Sequence, residues 1–345
     1  MWLPFFLAAV LWGVGAAMKV PRATRWAIIM VLYLAVLLAS FLPSDKNPIR
    51  LMSGDTPDFW LLLGGFAIMV LIYRAGLNWL KARVQKPEDP VSQGPFTDTE
   101  LNRYARHIVL REVGGLGQKK LKDAKVLVVG AGGLGSPALL YLAAAGVGTI
   151  GIVDDDEVDN SNLQRQVIHQ DAGIGTPKVF SAAEAMTAQN PFVTVKPYHR
   201  RLSEEDAAAL IADYDLVLDG TDNFDTRYLV NRICVAQGKP LISGALSQWE
   251  GQLSVFDPAQ GAPCYQCVFP EAPAPGLAPS CAEAGVIGPL PGVIGSMMAV
   301  EAVKVIADAG APLRGEMMIY DALYGESRKI TLKRRADCPV CGGKT

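Results

Sequence analysis

The chain carries little net charge and few charged side chains. Charged residues make up 19% of its 345 residues, and the formal net charge at pH 7 is −2 with a pI near 6.0. Nucleic-acid-binding proteins usually carry an excess of basic residues, so these values give no reason to expect such a partner. Half of the residues are hydrophobic, and the excess lies almost wholly in the first 80 residues. The length allows one large domain and an accessory apolar region.

Cysteines are too few for a small disulfide-stapled domain, and they are clustered. Four of the six form two C-x-x-C pairs with 70 residues between the pairs. Such pairs are typical of metal or redox chemistry in a reducing compartment. Two pairs together predict a closed tetrahedral zinc site if the fold brings the C-terminal tail back; loss of zinc and a redox pair are the alternatives. The lone Cys234 lies in an apolar, helix-like setting and is predicted to be a core residue.

Charge is absent from long stretches of the N-terminal region. Three hydrophobic segments lie near residues 1–18, 26–42 and 59–80. A spanning helix needs about 20 apolar residues, so the first two segments qualify narrowly as transmembrane helices and the third is borderline. The alternative for the first segment is a cleaved signal peptide, although its start lacks the usual positive charge. The alternative for the third segment is an interfacial helix.

The loop charges predict an orientation for these segments. Basic residues lie between the first two segments and after the third, whereas the loop between the second and third is rich in aspartate. The positive-inside rule then places everything after Tyr73 in the cytoplasm. We therefore expect a multi-pass protein of the inner (cytoplasmic) membrane. Its parts are a transmembrane region at 1–81, a polar, proline-bearing linker at 82–96 and a cytoplasmic catalytic domain at 97–345.

A glycine-rich turn opens the nucleotide-binding part of the domain. After a helix capped by its first Thr or Asp, the β-branched strand Lys125 to Val129 leads into "GAGGLG" and then into an Ala/Leu-rich helix. Gly130, Gly132 and Gly135 form G-x-G-x-x-G between the strand and the helix. This context predicts a backbone that approaches a phosphate closely at a helix N-terminus. A glycine turn without a ligand is the alternative.

Polar residues follow the second predicted strand, Thr149 to Val153. Asp154, at its end, can accept hydrogen bonds from ribose hydroxyls. Asn162, Arg165 and Lys178 follow at loop-like spacing, and two cations beside the glycine turn suit a triphosphate that is cleaved, because they neutralise charge on the leaving pyrophosphate. A solvated surface pair is the alternative for the cations. A dehydrogenase has no evident use for them, so the pattern favours ATP over NAD.

Acidic residues end a third predicted strand, Leu216 to Leu218. Ligands of open α/β sheets bind outside the carboxyl ends of the strands, so Asp219 and Asp222 are expected to hold Mg²⁺ on phosphate oxygens. The alternative for Asp222 is an N-cap of the next helix. The repeated β-α-β pattern predicts an α/β fold. We expect a Rossmann-like ATP-binding domain that continues into a mainly β zinc-binding part, preceded by two or three transmembrane helices.

The ordered motifs from about Thr97 to the C-terminus resemble the MoeB/ThiF group of ubiquitin-activating-type adenylyltransferases. They include "RYARHIVL", "SNLQRQVIH", "LVLDGTDNFDTRYLVN", "PCYQCVFP" and "DCPVCG". The resemblance implies ATP-dependent adenylation of the C-terminal Gly-Gly carboxylate of a ubiquitin-like sulfur-carrier protein. Pyrophosphate leaves, and a thiocarboxylate for molybdopterin, thiamine or thiolation pathways forms later. The alternatives are a catalytically idle, zinc-stabilised membrane scaffold and, least favoured, an NAD-dependent oxidoreductase.

The resemblance also implies a role for each matching residue. The implied nucleotide-binding residues are Gly130, Gly132, Gly133, Gly135, Asp154, Asn162, Arg165, Lys178, Asp222 and Asn223. The implied catalytic residues are Arg106, which would reach the ATP of the partner subunit in a homodimer, Arg165, Lys178, the magnesium ligand Asp222, and Cys281, which would attack the adenylate. The implied zinc ligands are Cys264, Cys267, Cys338 and Cys341. The chain ends four residues after Cys341 without a sulfurtransferase domain. We therefore expect a separate sulfur donor, such as a cysteine desulfurase or a sulfurtransferase.

Overall fold

A computed structural model describes residues 3–41, 57–83, 94–274 and 284–343. The chain divides into two compact units, Met1–Val91 and Ser92–Thr345, which we call the N-terminal unit and the catalytic unit. Residues 84–93, which make up most of the predicted linker, lie outside the described residues, as does Cys281.

The N-terminal unit contains three described helices, α1 (Leu3–Ala17), α2 (Arg22–Ser40) and α3 (Pro57–Arg83). At 1.5 Å per residue they measure about 22, 28 and 40 Å, against a hydrocarbon core of about 30 Å. By length and composition α2 and residues 57–80 of α3 could each cross a membrane, whereas α1 is shorter. The predicted segments are therefore helical with shifted ends. Because α3 reaches Arg83, it includes the first two residues of the predicted linker.

Aromatic side chains connect the helices of the N-terminal unit. The Tyr33 hydroxyl donates to the Trp60 carbonyl at 2.6 Å, and the rings of Phe5 and Trp60 stack with centroids 5.7 Å apart. The Arg25 guanidinium lies 5.5 Å from the centroid of the Trp12 ring. Most of the long apolar side chains of α2 and α3 are nevertheless exposed within the unit, as expected of helices whose apolar surface is not covered by protein.

The catalytic unit is built on one eight-stranded sheet with the order β3-β2-β1-β4-β5-β6-β7-β8. Its first five strands are parallel and the last three run antiparallel to their neighbours. The strands are β1 (Lys125–Val129), β2 (Thr149–Asp154), β3 (Thr194–His199), β4 (Leu216–Asp219), β5 (Leu241–Leu246), β6 (Glu250–Phe256), β7 (Glu316–Asp321) and β8 (Glu326–Thr331). The α/β fold with predicted strands at β1, β2 and β4 is confirmed.

Helices cover both faces of this sheet. They are α4 (Asp98–Ile108), α5 (Gly114–Asp123), α6 (Gly135–Ala145), α7 (Lys178–Gln189), α8 (Glu204–Ala212), α9 (Phe224–Gln237), the one-turn α10 (Tyr265–Val268) and α11 (Pro289–Ala307). Successive side chains of a strand point to opposite faces. In β1, Val126 and Val128 accordingly pack into the core with α5, α6, α7 and α11, while Leu127 and Val129 pack with α8 and α9.

The C-terminal part of the unit differs from the prediction of a mainly β segment. Its antiparallel strands continue the same sheet, and they are covered by the 19-residue helix α11, which packs against α6, β5 and β6. Although α11 is apolar enough to cross a membrane, Ile294 and Met298 are fully buried in the protein core. The predicted core residue Cys234 is confirmed, since it is buried in α9.

Candidate active site

The glycine-rich turn lies between β1 and α6 at the carboxyl end of the sheet. Gly130 has φ +95°, a conformation that L side chains rarely adopt, and a β-carbon at Gly135 would collide with the Gly130 carbonyl oxygen. In the described part of the chain, the amide groups of Gly132 and Gly133 have no hydrogen-bond acceptor. Two free amides before a helix N-terminus form a binding site for an anion.

Asp154 ends β2 beside this turn. Its Oδ2 accepts a hydrogen bond from the Ala131 amide at 2.7 Å, and its Oδ1 accepts one from the Asp156 amide at 2.9 Å. Burial raises the pKa of the Asp154 carboxyl, and the two amide hydrogen bonds and the charge of Lys178 oppose this effect. The carboxylate is thus fixed by backbone groups at the position where the resemblance places the ribose.

Two cations face the same turn. Lys178 is the first residue of α7; its side chain is 6% exposed and its Nζ lies 2.6 Å from Asp156 Oδ2. Arg165 is half-buried, and one guanidinium nitrogen donates to the Ser161 carbonyl at 3.1 Å. The two positive side chains therefore lie beside the glycine turn. Among the described residues, the one carboxylate that forms an ion pair with either of them is that of Asp156, which pairs with Lys178.

The expectation that Asp219 helps to bind magnesium is wrong. Its carboxylate is fully buried at the end of β4 and accepts hydrogen bonds from the Thr221 amide and hydroxyl, at 3.0 and 2.7 Å, and from the Ser243 hydroxyl at 3.2 Å. Asp219 therefore holds the turn after β4. Asp222 is exposed and makes no hydrogen bond or ion pair with the described residues. The N-cap of α9 is Asn223, whose Oδ1 accepts from the Thr226 amide at 3.1 Å.

A cleft of about 710 Å³ joins these groups. The sequence-predicted residues that line it are Gly130, Gly132, Gly133, Asp154, Asn162, Arg165, Lys178, Asp222 and Asn223. Gly135 lies just inside α6, behind the lining. Arg106 is not among the residues that line the cleft; it is exposed on α4 and makes no hydrogen bond or ion pair with the described residues. Cys281 lies outside the described residues, so its position relative to the cleft is not described.

Three buried polar residues at the cleft were not predicted. Gln166 lines the cleft, and its side-chain oxygen is buried without a partner among the described residues. His169 joins the glycine turn to α7, because its Nε2 donates to the Ala131 carbonyl at 3.0 Å and its Nδ1 accepts from the Ser181 hydroxyl at 3.0 Å. Arg227, in α9, is buried below the turn that carries Asp222. Spacing gives no signal for these residues, although Gln166 directly follows Arg165.

The four cysteines of the two C-x-x-C pairs meet in one cluster. Their sulfur atoms all lie within 4.8 Å of one another, all four residues are buried, and none is in a disulfide. The separations are 3.8 Å for Cys264–Cys267, 3.6 Å for Cys264–Cys338 and 3.4 Å for Cys267–Cys341. Four thiolates around zinc, with bonds of about 2.3 Å, stand about 3.8 Å apart. The cluster therefore fits a tetrahedral zinc ion closely.

The four cysteines differ in how readily they form thiolate: burial raises the pKa of Cys264 and of Cys267, whereas the pKa of Cys338 is lowered. The Arg335 amide donates to Cys267 Sγ at 3.4 Å. Burial raises the pKa of Cys338, but hydrogen bonds from the Cys341 and Val340 amides and from the Cys264 and Cys267 thiols together outweigh burial and lower that pKa to about 7. A metal binds the thiolate form, so Cys338 is the cysteine whose surroundings favour a cation most.

Comparison with known proteins gives the same family as the sequence motifs, along most of the chain. The ThiF family model matches residues 104–340. The sulfur carrier protein adenylyltransferase of Thermus thermophilus is 51% identical over 251 residues, which are 72% of this chain and 93% of that protein. The SAMP-activating enzyme E1 of Haloferax volcanii is 48% identical over 244 residues, covering 71% of this chain and 90% of that protein.

Two further comparisons concern a longer relative and a solved structure. The probable adenylyltransferase/sulfurtransferase MoeZ of Mycobacterium tuberculosis is 51% identical over 243 residues, 70% of this chain but 62% of that protein. The crystal structure of Escherichia coli MccB with ATP has a TM-score of 0.61 at 23% identity, over 70% of this chain and 74% of that one. At this identity the structural likeness establishes the fold alone.

Proposed function

The chain belongs to the ThiF family, and we propose that it is an adenylyltransferase for a ubiquitin-like sulfur-carrier protein. It uses ATP to adenylate the C-terminal Gly-Gly carboxylate of the carrier and releases pyrophosphate. One observation carries this proposal: a single cleft is lined by the glycine turn, a backbone-held carboxylate, two cations and an exposed carboxylate. The identity of 51% to a sulfur carrier protein adenylyltransferase supports the choice of substrate.

The reaction is a displacement at phosphorus. A carboxylate oxygen of the carrier bonds to the α-phosphorus of ATP, and the bond from that phosphorus to the oxygen of the leaving pyrophosphate breaks. The carrier's terminal carboxylate is already ionised near neutral pH, so no general base is needed. Lys178 and Arg165 neutralise the charge that grows on the leaving group. The free amides of Gly132 and Gly133 donate hydrogen bonds to phosphate oxygens.

The remaining cleft residues orient the nucleotide. Asp154 accepts from the ribose hydroxyls, and Asn162 and Asn223 line the same cleft. Asp222 would hold Mg²⁺, which supplies additional positive charge to the phosphates. The exposed Asp222 carboxylate without a protein partner fits that role, because a carboxylate oxygen is a ligand that Mg²⁺ prefers.

We further propose that the cysteine cluster holds a structural zinc ion. Cys264, Cys267, Cys338 and Cys341 supply all four positions of a tetrahedral site, so none is left for a substrate. Zinc would then fix the C-terminal tail against the region before α11. The reaction itself does not pass through it.

The partners follow from the same family. We propose a homodimer in which Arg106 of one protomer reaches the ATP of the other; its exposure and lack of a partner in the described residues agree with this. The sulfur comes from a separate donor protein, such as a cysteine desulfurase or a sulfurtransferase. The role of Cys281 as the residue that attacks the adenylate stays a prediction, because that residue lies outside the described part of the chain.

We propose that the N-terminal unit anchors the enzyme in the inner (cytoplasmic) membrane, with the catalytic unit in the cytoplasm. The length and composition of α2 and α3 support two spans, and α1 is short for a third. The basic residues Arg74, Lys81 and Arg83, which follow the apolar stretch within α3, support the orientation. The test is alkaline extraction of membranes that contain the full chain, combined with protease digestion from either side. Release of the intact protein by alkali would overturn the anchor.

The test of the activity is exchange of labelled pyrophosphate into ATP by the full chain. We expect exchange that requires Mg²⁺ and a Gly-Gly-ended carrier from the same genome, and that is lost in Asp222→Ala. A carrier that lacks its last two glycines is the control. Absence of exchange with every such carrier would contradict the proposal and favour a scaffold. Absorbance changes of a nicotinamide cofactor in place of exchange would favour an oxidoreductase.

A further inference from the structure

The cysteine cluster and the cleft share one short element, α10. This helix has only four residues, Tyr265–Val268; Cys264 is its N-cap and Cys267 lies within it. Tyr265, between these two cysteines, lines the cleft. A one-turn helix has almost no stability of its own, because helix nucleation is unfavourable. The position of Tyr265 therefore depends on its own packing and on what holds the two cysteines.

Tyr265 is firmly packed onto α9. Its side chain is almost fully buried, and its amide donates to the Asn231 side-chain oxygen at 2.9 Å. Its ring meets those of Tyr228 and Phe256 edge to face, with centroids 5.5 and 5.6 Å apart, and lies 4.8 Å from that of Phe269. A shift of α10 would disturb this packing, because close-packed aromatic groups transmit displacement.

Helix α9, on which Tyr265 packs, also holds the turn that carries Asp222. The Arg227 guanidinium, buried in α9, donates to the carbonyl oxygens of Thr221 and Gly244 and to the Ser243 hydroxyl. Tyr265 contacts the same helix beside Arg227: its ring meets that of the adjacent residue Tyr228, and its amide donates to Asn231. Contacts thus run from the cysteines through Tyr265 to Tyr228 and Asn231 of α9. The same helix carries Arg227, which donates to the carbonyl next to Asp222.

We propose that Tyr265 is a positioning residue that couples the cysteine cluster to the Thr221–Asn223 turn. The cleft then presents Asp222 correctly only while the cluster holds its metal, so that metal occupancy controls binding of magnesium and ATP. The inference rests on the proposed function, because it assumes that the cleft binds ATP and that the cluster binds zinc. It adds a connection between the cysteine cluster and the cleft, and it assigns a role to Tyr265, which lines the cleft.

Hydrogen–deuterium exchange of the full chain tests the connection without any carrier. Zinc is removed with a chelator, and the metal content is measured. We expect exchange to accelerate about tenfold or more in peptides that cover 219–228 as well as 264–269, while peptides over 127–135 change little. Unchanged exchange at 219–228, with faster exchange at 264–269, would overturn the proposal.

Two variants keep the test valid if zinc removal unfolds the whole unit. In Tyr265→Leu, with zinc still bound, we expect the fast exchange at 219–228 and roughly tenfold weaker binding of ATP in the presence of Mg²⁺. Binding of ATP without added magnesium should change less than twofold. Tyr265→Phe, which keeps the ring, should restore most of the affinity. Equal loss of affinity with and without magnesium would indicate general damage and contradict the proposal.

A matched control is Tyr214→Phe. Tyr214 is a buried tyrosine of the same core, and its hydroxyl pairs with that of Tyr198 at 3.0 Å, away from the cysteines. We expect normal exchange at 219–228 in this variant; acceleration there would contradict a specific role for Tyr265. A normal coupling result together with absent pyrophosphate exchange would refute the proposed function and leave the connection standing.

Discussion

Two apolar helices of this chain have opposite environments. Both α3, in the N-terminal unit, and α11, in the catalytic unit, are long and apolar enough to cross a membrane. Only 6% of the α3 span is buried by protein, against 50% of α11. At the middle of α3, Met69 is 64% exposed, whereas Met298 of α11 is fully buried against the sheet. The hydropathy of a helix therefore indicates that its apolar surface must be removed from water, but it does not show whether protein or lipid covers that surface.

The difference is visible in the charged residues within each helix. No Asp, Glu, Lys or Arg occurs between Asp58 and Arg74 of α3. Helix α11 contains Glu301 and Lys304, whose side chains form an ion pair at 2.5 Å, and Glu301 also accepts from the Leu313 amide at 2.9 Å. A buried carboxylate needs such partners. A paired charge inside an apolar helix is thus a signal for a protein core.

The largest effect should come from adding a charge to each helix. Met298→Asp places an unpaired carboxylate in the core, which costs several kcal/mol and should abolish folding of the catalytic unit. Met69→Asp should leave thermal unfolding of that unit unchanged and lower the fraction of molecules with α3 inserted, because aspartate at a span centre costs about 2.5–3.5 kcal/mol. Calorimetry and protease protection measure the two outcomes. Equal effects of both changes on the catalytic unit would break the comparison.

The next effect concerns chemistry that only the catalytic unit performs. We expect Lys178→Met to lower the rate of pyrophosphate exchange about 10²–10³-fold, because a preorganised charge at the leaving group is lost. Insertion of the N-terminal unit should not change. The control is Lys329→Met, which removes an exposed ion pair with Glu316; such pairs contribute little. An equal loss in both variants would argue against a specific role for Lys178.

The third effect is a dependence of stability on pH that belongs to the catalytic unit, which contains all three histidines. Burial lowers the pKa of His169; its hydrogen bond to Ala131 opposes this, and the nearby charge of Lys178 lowers the pKa further. The unfolded state then binds the proton more readily. The stabilisation is complete above pH of about 6.5 and declines as the pH falls towards the folded pKa, by at most about 1.4 kcal/mol per pH unit.

Denaturant unfolding at several pH values measures this slope. In His169→Gln the slope between pH 7 and 5 should become shallower, while the free energy of unfolding at pH 7.5 should fall because the hydrogen bonds to Ala131 and Ser181 are altered. An unchanged slope would exclude His169 as its source.

The smallest effect should be the loss of a helix cap. Thr97 and Glu100 form a capping box at the start of α4, with the Thr97 hydroxyl accepting from the Glu100 amide at 3.2 Å. Thr97→Ala should lower the free energy of unfolding by about 1 kcal/mol. The neighbouring Thr99→Ala, an exposed residue of the same first turn, is the control. No side chain caps α2 of the N-terminal unit, so this kind of sensitivity is expected for α4 and not for α2.

Much of the fold was predictable because its signals are local. The strand of Lys125–Val129, the glycine turn and the following helix form one continuous pattern. The positive φ at position 130 is a backbone conformation that favours glycine. The choice between Asp222 and Asn223 as the cap of α9 was not predictable, because both residue types favour that position. Asp219 was expected to bind a metal because the residues that donate hydrogen bonds to its carboxylate, Thr221 and Ser243, are not evident from the sequence.

The amino-acid sequence by itself determined the nucleotide-binding turn, the parallel strands beside it, the apolar N-terminal helices and the identity of the cysteine pairs. Each of these depends on neighbouring residues and on the periodicity of side chains. Only the tertiary structure decided that α11 belongs to the core, that Asp219 supports a turn, and that cysteines separated by 70 residues meet within 4.8 Å. Those outcomes depend on contacts between distant segments, which form only when the sheet brings the segments together.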